Sequence, residues 1–348
     1  MLNTMHWLPQ VAPEDWQFTA MVGATCDIEL QGFDVRRSRI DTRSPLRRII
    51  WEQAAQPWQL REFDLYHAQA FVAPVVSAVP SVVTVYDLSF VHFPQGLSAA
   101  RRLYLRLLTP ISCRRARRVI AISASTAKDL SNSFGIASEK IDIAPGGYDT
   151  ERFIPLPADL VQNFRQKHGL PERFWLFVGT LEPRKNLLNL VEAYAGLPAH
   201  ERLPLVIGGG KGWLYEDIFA AVERHGLKNL IRFEGFLPAE NLPLWYNSAE
   251  TFLFPSIYEG FGLPVVEAMA CGTPVITSNV SSLPEAAGNS GILVDPKNVD
   301  ALTAGLRKAF YDAEWRAQAR LAGPGQAAQF SWRNTAERTI DSYRKGLK

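Results

Sequence analysis

The strongest constraint on this chain is an alternation. Short β-rich apolar runs recur with helical patterns between them, in two successive series. In the first, Phe18–Val22, Asp64–His67, Ser81–Tyr86, Arg118–Ile122 and Lys140–Ala144 are expected to be strands. Helical patterns lie at Pro45–Leu60, Ser98–Arg117 and Ser123–Phe134. The second series begins near Arg173, with expected strands at Phe174–Val178, Leu205–Gly208, Leu230–Phe233, Thr251–Phe254, Pro274–Thr277 and Gly291–Val294. Its helical patterns are Asn186–Ala195, Tyr215–His225, Glu240–Tyr246, Pro264–Cys271 and Ala301–Phe310. Such alternation builds βαβ units and parallel sheets. The expected fold is therefore α/β: two Rossmann-like, doubly wound domains facing a cleft, with ligands at strand carboxyl ends. The Pro-containing stretch Phe153–Pro171 reads as the linker. Residues 1–165 are expected to form the first domain and 166–325 the second. Residues 326–348 hold a long amphipathic pattern, Gln326–Leu347, that closes the second domain or crosses back to the first.

The 348 residues agree with this division, because domains run to about 150 residues. With 37 basic and 35 acidic residues the net charge is +2, which argues against a general nucleic-acid-binding protein. The three cysteines, Cys26, Cys113 and Cys271, are too scattered for a disulfide framework and point to a reducing, cytoplasmic compartment. No apolar run reaches the ~18 residues that span a bilayer, and the first residues lack the pattern of a secretory signal.

The sharpest local segment runs from Pro255 through Glu259-Gly260-Phe261-Gly262-Leu263-Pro264 to Glu267-Ala268. It follows a strand and opens a helix. Pro264 suits a first helical turn, Gly260 and Gly262 allow close backbone approach, and the free N–H groups of a helix start attract anions. Glu259 and Glu267 are placed to face one ligand, and carboxylates suit sugar hydroxyls. Acidic residues favoured by the helix dipole would give the same pattern. Arg184-Lys185 has the chemistry of a diphosphate clamp, and equally that of a solvated surface pair. Gly208-Gly209-Gly210-Lys211-Gly212 lacks the spacing of a nucleotide loop and reads as a turn. Tyr86, Asp87 and His92 follow an apolar strand and are candidate acceptor-side residues. His67 and His92 also fit as structural histidines. No Asp-x-Asp stands in a strand-end loop, so a metal-bound diphosphate is not indicated; Asp27-Ile28-Glu29 reads as a strand. Between Leu88 and Lys128 there is no acid but there are eight basic residues: Arg101, Arg102, Arg106, Arg114, Arg115, Arg117, Arg118 and Lys128. They suit an anionic lipid surface or a lipid-diphosphate acceptor, or a solvated helix whose Arg stems cover apolar surface.

The E-x7-E spacing of Glu259 and Glu267 after a strand resembles the signature of the retaining GT-B glycosyltransferases of family 4 (group 1). Four further segments resemble the same family: Gly179-Thr180-Leu181-Glu182-Pro183-Arg184-Lys185-Asn186-Leu187, Phe233-Glu234-Gly235-Phe236-Leu237, Glu267 to Val275, and Ser282 to Gly288. Tyr86-Asp87-Leu88-Ser89-Phe90 with Arg184-Lys185-Asn186-Leu187 is most similar to GDP-mannose-dependent mannosyltransferases of polysaccharide synthesis. The resemblance implies a nucleotide-sugar donor and a saccharide or lipid-linked acceptor, with no metal or other cofactor. It places Glu259 against the donor hexose, Glu267 on the ribose, and Arg184 and Lys185 on the diphosphate. Gly179, Thr180, Gly260, Phe261, Gly262, Leu263, Gly235, Phe236 and Leu237 would line the donor. The protein would be cytoplasmic and peripheral on the inner face of the plasma membrane. Two departures stand out. Tyr86-Asp87 occupies the place of a common His-Asp, and the leading strand with its Gly-rich loop is not found. A nucleotide-sugar epimerase or phosphorylase, or an inactive binding subunit of the same fold, are the alternative readings.

Overall fold

The computed structural model describes residues 1–348, which divide into two compact units. The first holds Met1–Gly147 together with Ser331–Lys348; the second holds Tyr148–Phe330.

The first unit has two parallel sheets. One pairs β1 (Phe18–Val22) with β2 (Phe33–Arg37), in register from Phe18 opposite Phe33. The other has the order β3 (Tyr66–Ala68), β4 (Ser81–Val85), β5 (Arg118–Ala121) and β6 (Ile141–Ile143). All five residues of β4 are buried, as a parallel strand covered on both faces requires. One face packs Val83, Val85, Val119 and Ala121 against Leu105 and Leu130. On the other, Leu8, Val82, Ile120, Ala336, Ile340 and Tyr343 form a core shared by the helices Leu2–Val11 and Trp332–Leu347. His67 belongs to that core. Its Nδ1 is 2.6 Å from the Tyr343 hydroxyl and its Nε2 is 2.8 Å from Thr84 Oγ1. Burial pushes its imidazole down to about 3, so it is a neutral structural histidine.

The second unit is built on one six-stranded parallel sheet. Its order is β12 (Ile292–Val294), β11 (Val275–Ser278), β10 (Thr251–Phe254), β7 (Trp175–Val178), β8 (Leu205–Gly208) and β9 (Ile231–Gly235). The order doubles back at β7 and β10. Adjacent strands there run outward in opposite sequence directions, and the loops after them become neighbours at the carboxyl edge.

Several expectations are corrected. The unit boundary falls at Gly147–Tyr148, because the Pro-containing stretch is packed onto the second unit and is no free linker. Leu156 N–H donates to Asn247 Oδ1, and Phe164 packs edge-on to Trp245. The stretch carries a helix, Ala158–His168. Asp27–Glu29 is irregular, and the strand comes later, at β2. Pro45–Leu60 is not a regular α-helix throughout. It is helical throughout but changes type, from Pro45–Ile50 through a π-helical turn Trp51–Ala55 to Gln56–Gln59, where Pro57 has no N–H to donate back to Gln53. The Gln53 side-chain amide donates to Ala73 C=O and accepts Val75 N–H. The terminal pattern splits after Ala327, and Ser331 caps the last helix through Asn334 N–H. That helix is part of the first unit, with Thr335 Oγ1 donating to Pro145 C=O at 2.6 Å.

Candidate active site

Two loops of the second unit meet at its centre. The loop after β7 ends in a single 3₁₀ turn, Pro183–Lys185, and then Asn186 in left-handed geometry, a conformation Asn tolerates. The loop after β10 runs from Pro255 to Gly262, where φ is +111° and a Cβ would lie 2.8 Å from the Leu283 side chain. Glycine is required there. The helix Leu263–Ala270 follows, with Pro264 in its first turn. Ile257 N–H donates to Arg184 C=O at 2.9 Å and joins the loops through their backbones.

Their side chains form an ion cluster. Lys185 Nζ is 2.7 Å from Glu259 Oε1, and Arg184 Nη1 is 2.6 Å from Glu259 Oε2. Both Lys185 and Glu259 are buried, and the Lys185 ammonium lies 4.6 Å from the Phe254 ring centre. Burial opposes the charge on Glu259, yet Lys185 and Arg184 outweigh it and hold the carboxyl below its ordinary range. Arg184 also donates to Tyr258 C=O and, from Nε and Nη2, to Glu182 Oε1 at 3.0 and 2.7 Å. Four of its five N–H groups are thus engaged. Two cations and two carboxylates balance one another in a buried patch.

Glu267 lies one turn into the helix in a different setting. Burial raises its carboxyl to about 7, and the Tyr246 hydroxyl at 3.1 Å and the nearby Arg152 only partly offset that. The Gly208–Gly212 segment is structural. A Cβ on Gly209 would sit 1.8 Å from Gly179 C=O, and Leu181 N–H donates to Gly210 C=O. The segment supports the 179–186 loop from the side. Thr180 is exposed. Gly235 and Phe236 are exposed at the end of β9, Phe236 by 77%, while Leu237 is buried against Gly208.

In the first unit the candidates are less concentrated. Asp87 Oδ1 accepts Ser89 N–H, the first of the short helix Ser89–His92, at 2.8 Å. His92 is exposed and lies 3.5 Å from Asp129. Tyr86 packs against Phe71. The basic stretch lies mainly on the helix Ala99–Arg115. Arg118 leaves the patch, because it is a half-buried member of β5 paired with Asp142 at 2.6 Å. No three His, Cys, Asp or Glu side chains come together as a metal-ligand group. Sequence reasoning assigned no role to Glu182, Tyr246, Arg152, Ser281 or Ser282. Glu182 and Ser282 stand in segments that the family resemblance covers; Tyr246, Arg152 and Ser281 are non-local partners without a sequence cue.

With this geometry in view, two family models match. Residues 18–152 match "Glycosyltransferase Family 4" and residues 161–325 match "Glycosyl transferases group 1". An O-antigen chain mannosyltransferase B of Escherichia coli is 34% identical over 293 residues, covering 83% of this chain and 77% of that protein. The serotype-specific mannosyltransferase WbdA of Escherichia coli is 34% identical over 253 residues, which is 71% of this chain but 31% of that longer protein. Among solved structures, sucrose-phosphate synthase from Thermosynechococcus elongatus superposes with a TM-score of 0.77 at 23% identity, over 98% of this chain and 91% of that one. The parallel α/β architecture is that of the GT-B glycosyltransferases. The chain belongs to the group 1, family 4 glycosyltransferases and is a glycosyltransferase.

Proposed function

We propose that this enzyme transfers mannose from GDP-mannose to a saccharide or lipid-linked saccharide acceptor, with retention of anomeric configuration and without a metal. The observation that carries the reading is the buried Arg184–Glu259–Lys185 cluster at the start of the helix Leu263–Ala270. With Glu182 bonded to Arg184, its two cations face two carboxylates. The donor's diphosphate would take over the two cations from Glu259, leaving that carboxylate to face the hexose. As the anomeric C–O bond breaks, its electron pair goes to the leaving phosphate oxygen. Arg184, Lys185 and the N–H groups around Phe261–Leu263 would be preorganised for that growing charge, so they would act most strongly in the transition state. The acceptor hydroxyl attacks the same face of a short-lived oxocarbenium-like ion and gives its proton to the departing phosphate. The products are GDP and a glycoside. Glu267 would hold the ribose hydroxyls. Gly179, Thr180, Gly235, Phe236 and Gly260–Leu263 would complete the donor site, with Tyr86, Asp87 and His92 on the acceptor side. The two mannosyltransferase relatives support mannose as the sugar.

The purified enzyme is offered GDP-mannose, UDP-glucose or UDP-N-acetylglucosamine, each with and without a mannose-ended oligosaccharide. Acceptor-dependent GDP release and an α-linked product by NMR are expected with GDP-mannose. An epimer without acceptor, or binding without turnover, would overturn the reading in favour of an epimerase or an inactive subunit. The basic helix Ala99–Arg115 supports docking on an anionic membrane. Leu103 and Leu107, one turn apart, are 60% and 55% exposed beside Arg101, Arg102 and Arg106. Arg115 and Arg117 are exposed at and just beyond the end of that helix, and no helix of the protein is long and apolar enough to cross a bilayer. Cosedimentation with phosphatidylglycerol vesicles should be salt-sensitive and lost when Arg101, Arg102 and Arg106 are changed to Glu.

A further inference from the structure

The chain between β11 and the short helix Leu283–Ala287 holds a strained residue. Ser281 has φ +59°, a left-handed backbone that serine rarely adopts. Its hydroxyl sits on the backbone of Glu259. Ser281 Oγ accepts the Glu259 N–H at 3.1 Å and donates to the Glu259 C=O at 2.6 Å. One oxygen therefore engages both peptide groups of that residue. Ser282, fully buried, places its hydroxyl 2.9 Å from Glu259 C=O and 2.8 Å from Phe261 C=O. Glu259 is thus held twice: at its backbone by the 281–282 turn, and at its carboxylate by Arg184 and Lys185.

The two holds differ in kind. The ionic one is exchangeable, since a diphosphate competes for the same cations. The backbone one is neutral and stays in place when the carboxylate is released. We propose that Ser281 is a positioning residue: it fixes the Glu259 backbone so that the carboxylate points at the reacting sugar once Arg184 and Lys185 turn to the donor. This rests on the reading of Glu259 given above. A left-handed backbone favours glycine, whereas the clamp requires a hydroxyl that donates and accepts from one atom. A turn serving only the fold would be better served by glycine. Strain retained at such a position is what a functional constraint leaves behind.

The test compares Ser281→Gly with Ser281→Ala in the full chain, by kcat, donor KM and Tm. Glycine removes the clamp and the strain together; alanine removes the clamp and keeps the strain. We expect kcat to fall about 10- to 100-fold in both, because displacement of a reacting group by about 1 Å costs on the order of 10²-fold. Donor KM should stay within about threefold, because the cations on the diphosphate are untouched. Tm should be lower for alanine than for glycine, with glycine near the wild type. A Ser281→Gly enzyme with wild-type kcat would overturn the proposal, as would a loss of kcat that follows Tm across the two variants. If the wild type itself transfers no sugar, the reading of Glu259 falls first and the proposal with it; an active wild type beside a fully active glycine variant removes the positioning role alone.

Discussion

The candidate site residues of the two units are partnered in opposite ways. In the second, side chains far apart in sequence are drawn into one largely buried ion cluster: Glu182, Arg184, Lys185 and Glu259 lie on neighbouring loops of a continuous six-stranded sheet. In the first, Asp87 bonds the backbone two residues on and His92 pairs at the surface with Asp129, while the strands form two separate sheets. Buried charge is tolerated only when paired, and such pairing gives stiffness and low reorganisation, the properties that stabilise developing charge. Exposed and locally satisfied groups suit a site that accepts varied partners. The contrast predicts that changes in the second unit alter the chemical step, and changes in the first alter acceptor use only.

The largest effect is expected at Glu259. Glu259→Gln keeps an acceptor for Lys185 but removes the charge, and kcat should fall by about 10³-fold with the circular-dichroism spectrum unchanged. Near-normal turnover would break the contrast outright. Lys185→Met comes next, with an expected loss of about 10²-fold in kcat/KM for the donor, because Arg184 would still be there to meet the diphosphate. Glu267→Gln is smaller and depends on pH. Its carboxyl is raised from 4.5 to about 7, first by burial. The folded protein therefore binds this proton more tightly than the unfolded chain. Its ionisation costs the fold nothing below about pH 4.5, an increasing amount between 4.5 and 7, and the full amount above 7. Glu267→Gln should accordingly raise Tm at pH 8 and leave it nearly unchanged at pH 4.5, while donor KM at pH 8 rises about tenfold. Wild-type donor affinity should weaken as pH falls below about 7, which titration calorimetry with GDP can follow. The smallest effects belong to the first unit: Asp87→Asn and His92→Ala should change acceptor KM by about threefold and leave donor KM alone. A collapse of kcat in Asp87→Asn would show that the first unit holds a reacting group.

Much of this was legible in the sequence, for a physical reason. Strand and helix periodicity is local, so nearly every strand of both series lies within two residues of its expected place; β2, with only partial burial, was the exception. The pairing of a β7 loop with a β10 loop followed from motif resemblance. Where neighbours are distant in sequence, local pattern was silent. Tyr246 reaches Glu267 across two helices, and Ser281 reaches Glu259 from another strand end. Arg118 looked like part of a basic patch until Asp142, one strand over, took its charge. The boundary at Gly147 was hidden because prolines at 155 and 157 look like linker residues whether or not the chain around them is packed.

Alternating apolar runs determined two α/β units, and the types and spacing of Glu259, Glu267, Arg184 and Lys185 determined the chemistry available to the second. Both are properties of short segments, set by backbone periodicity and side-chain identity. Only the tertiary structure decided the ionisation of these groups. One glutamate is held charged by two cations and the other is pushed up to about 7 by burial, although they stand eight positions apart in one motif. That difference comes from which groups the strand order sets beside each carboxylate, because electrostatic energy depends on distance and desolvation in space.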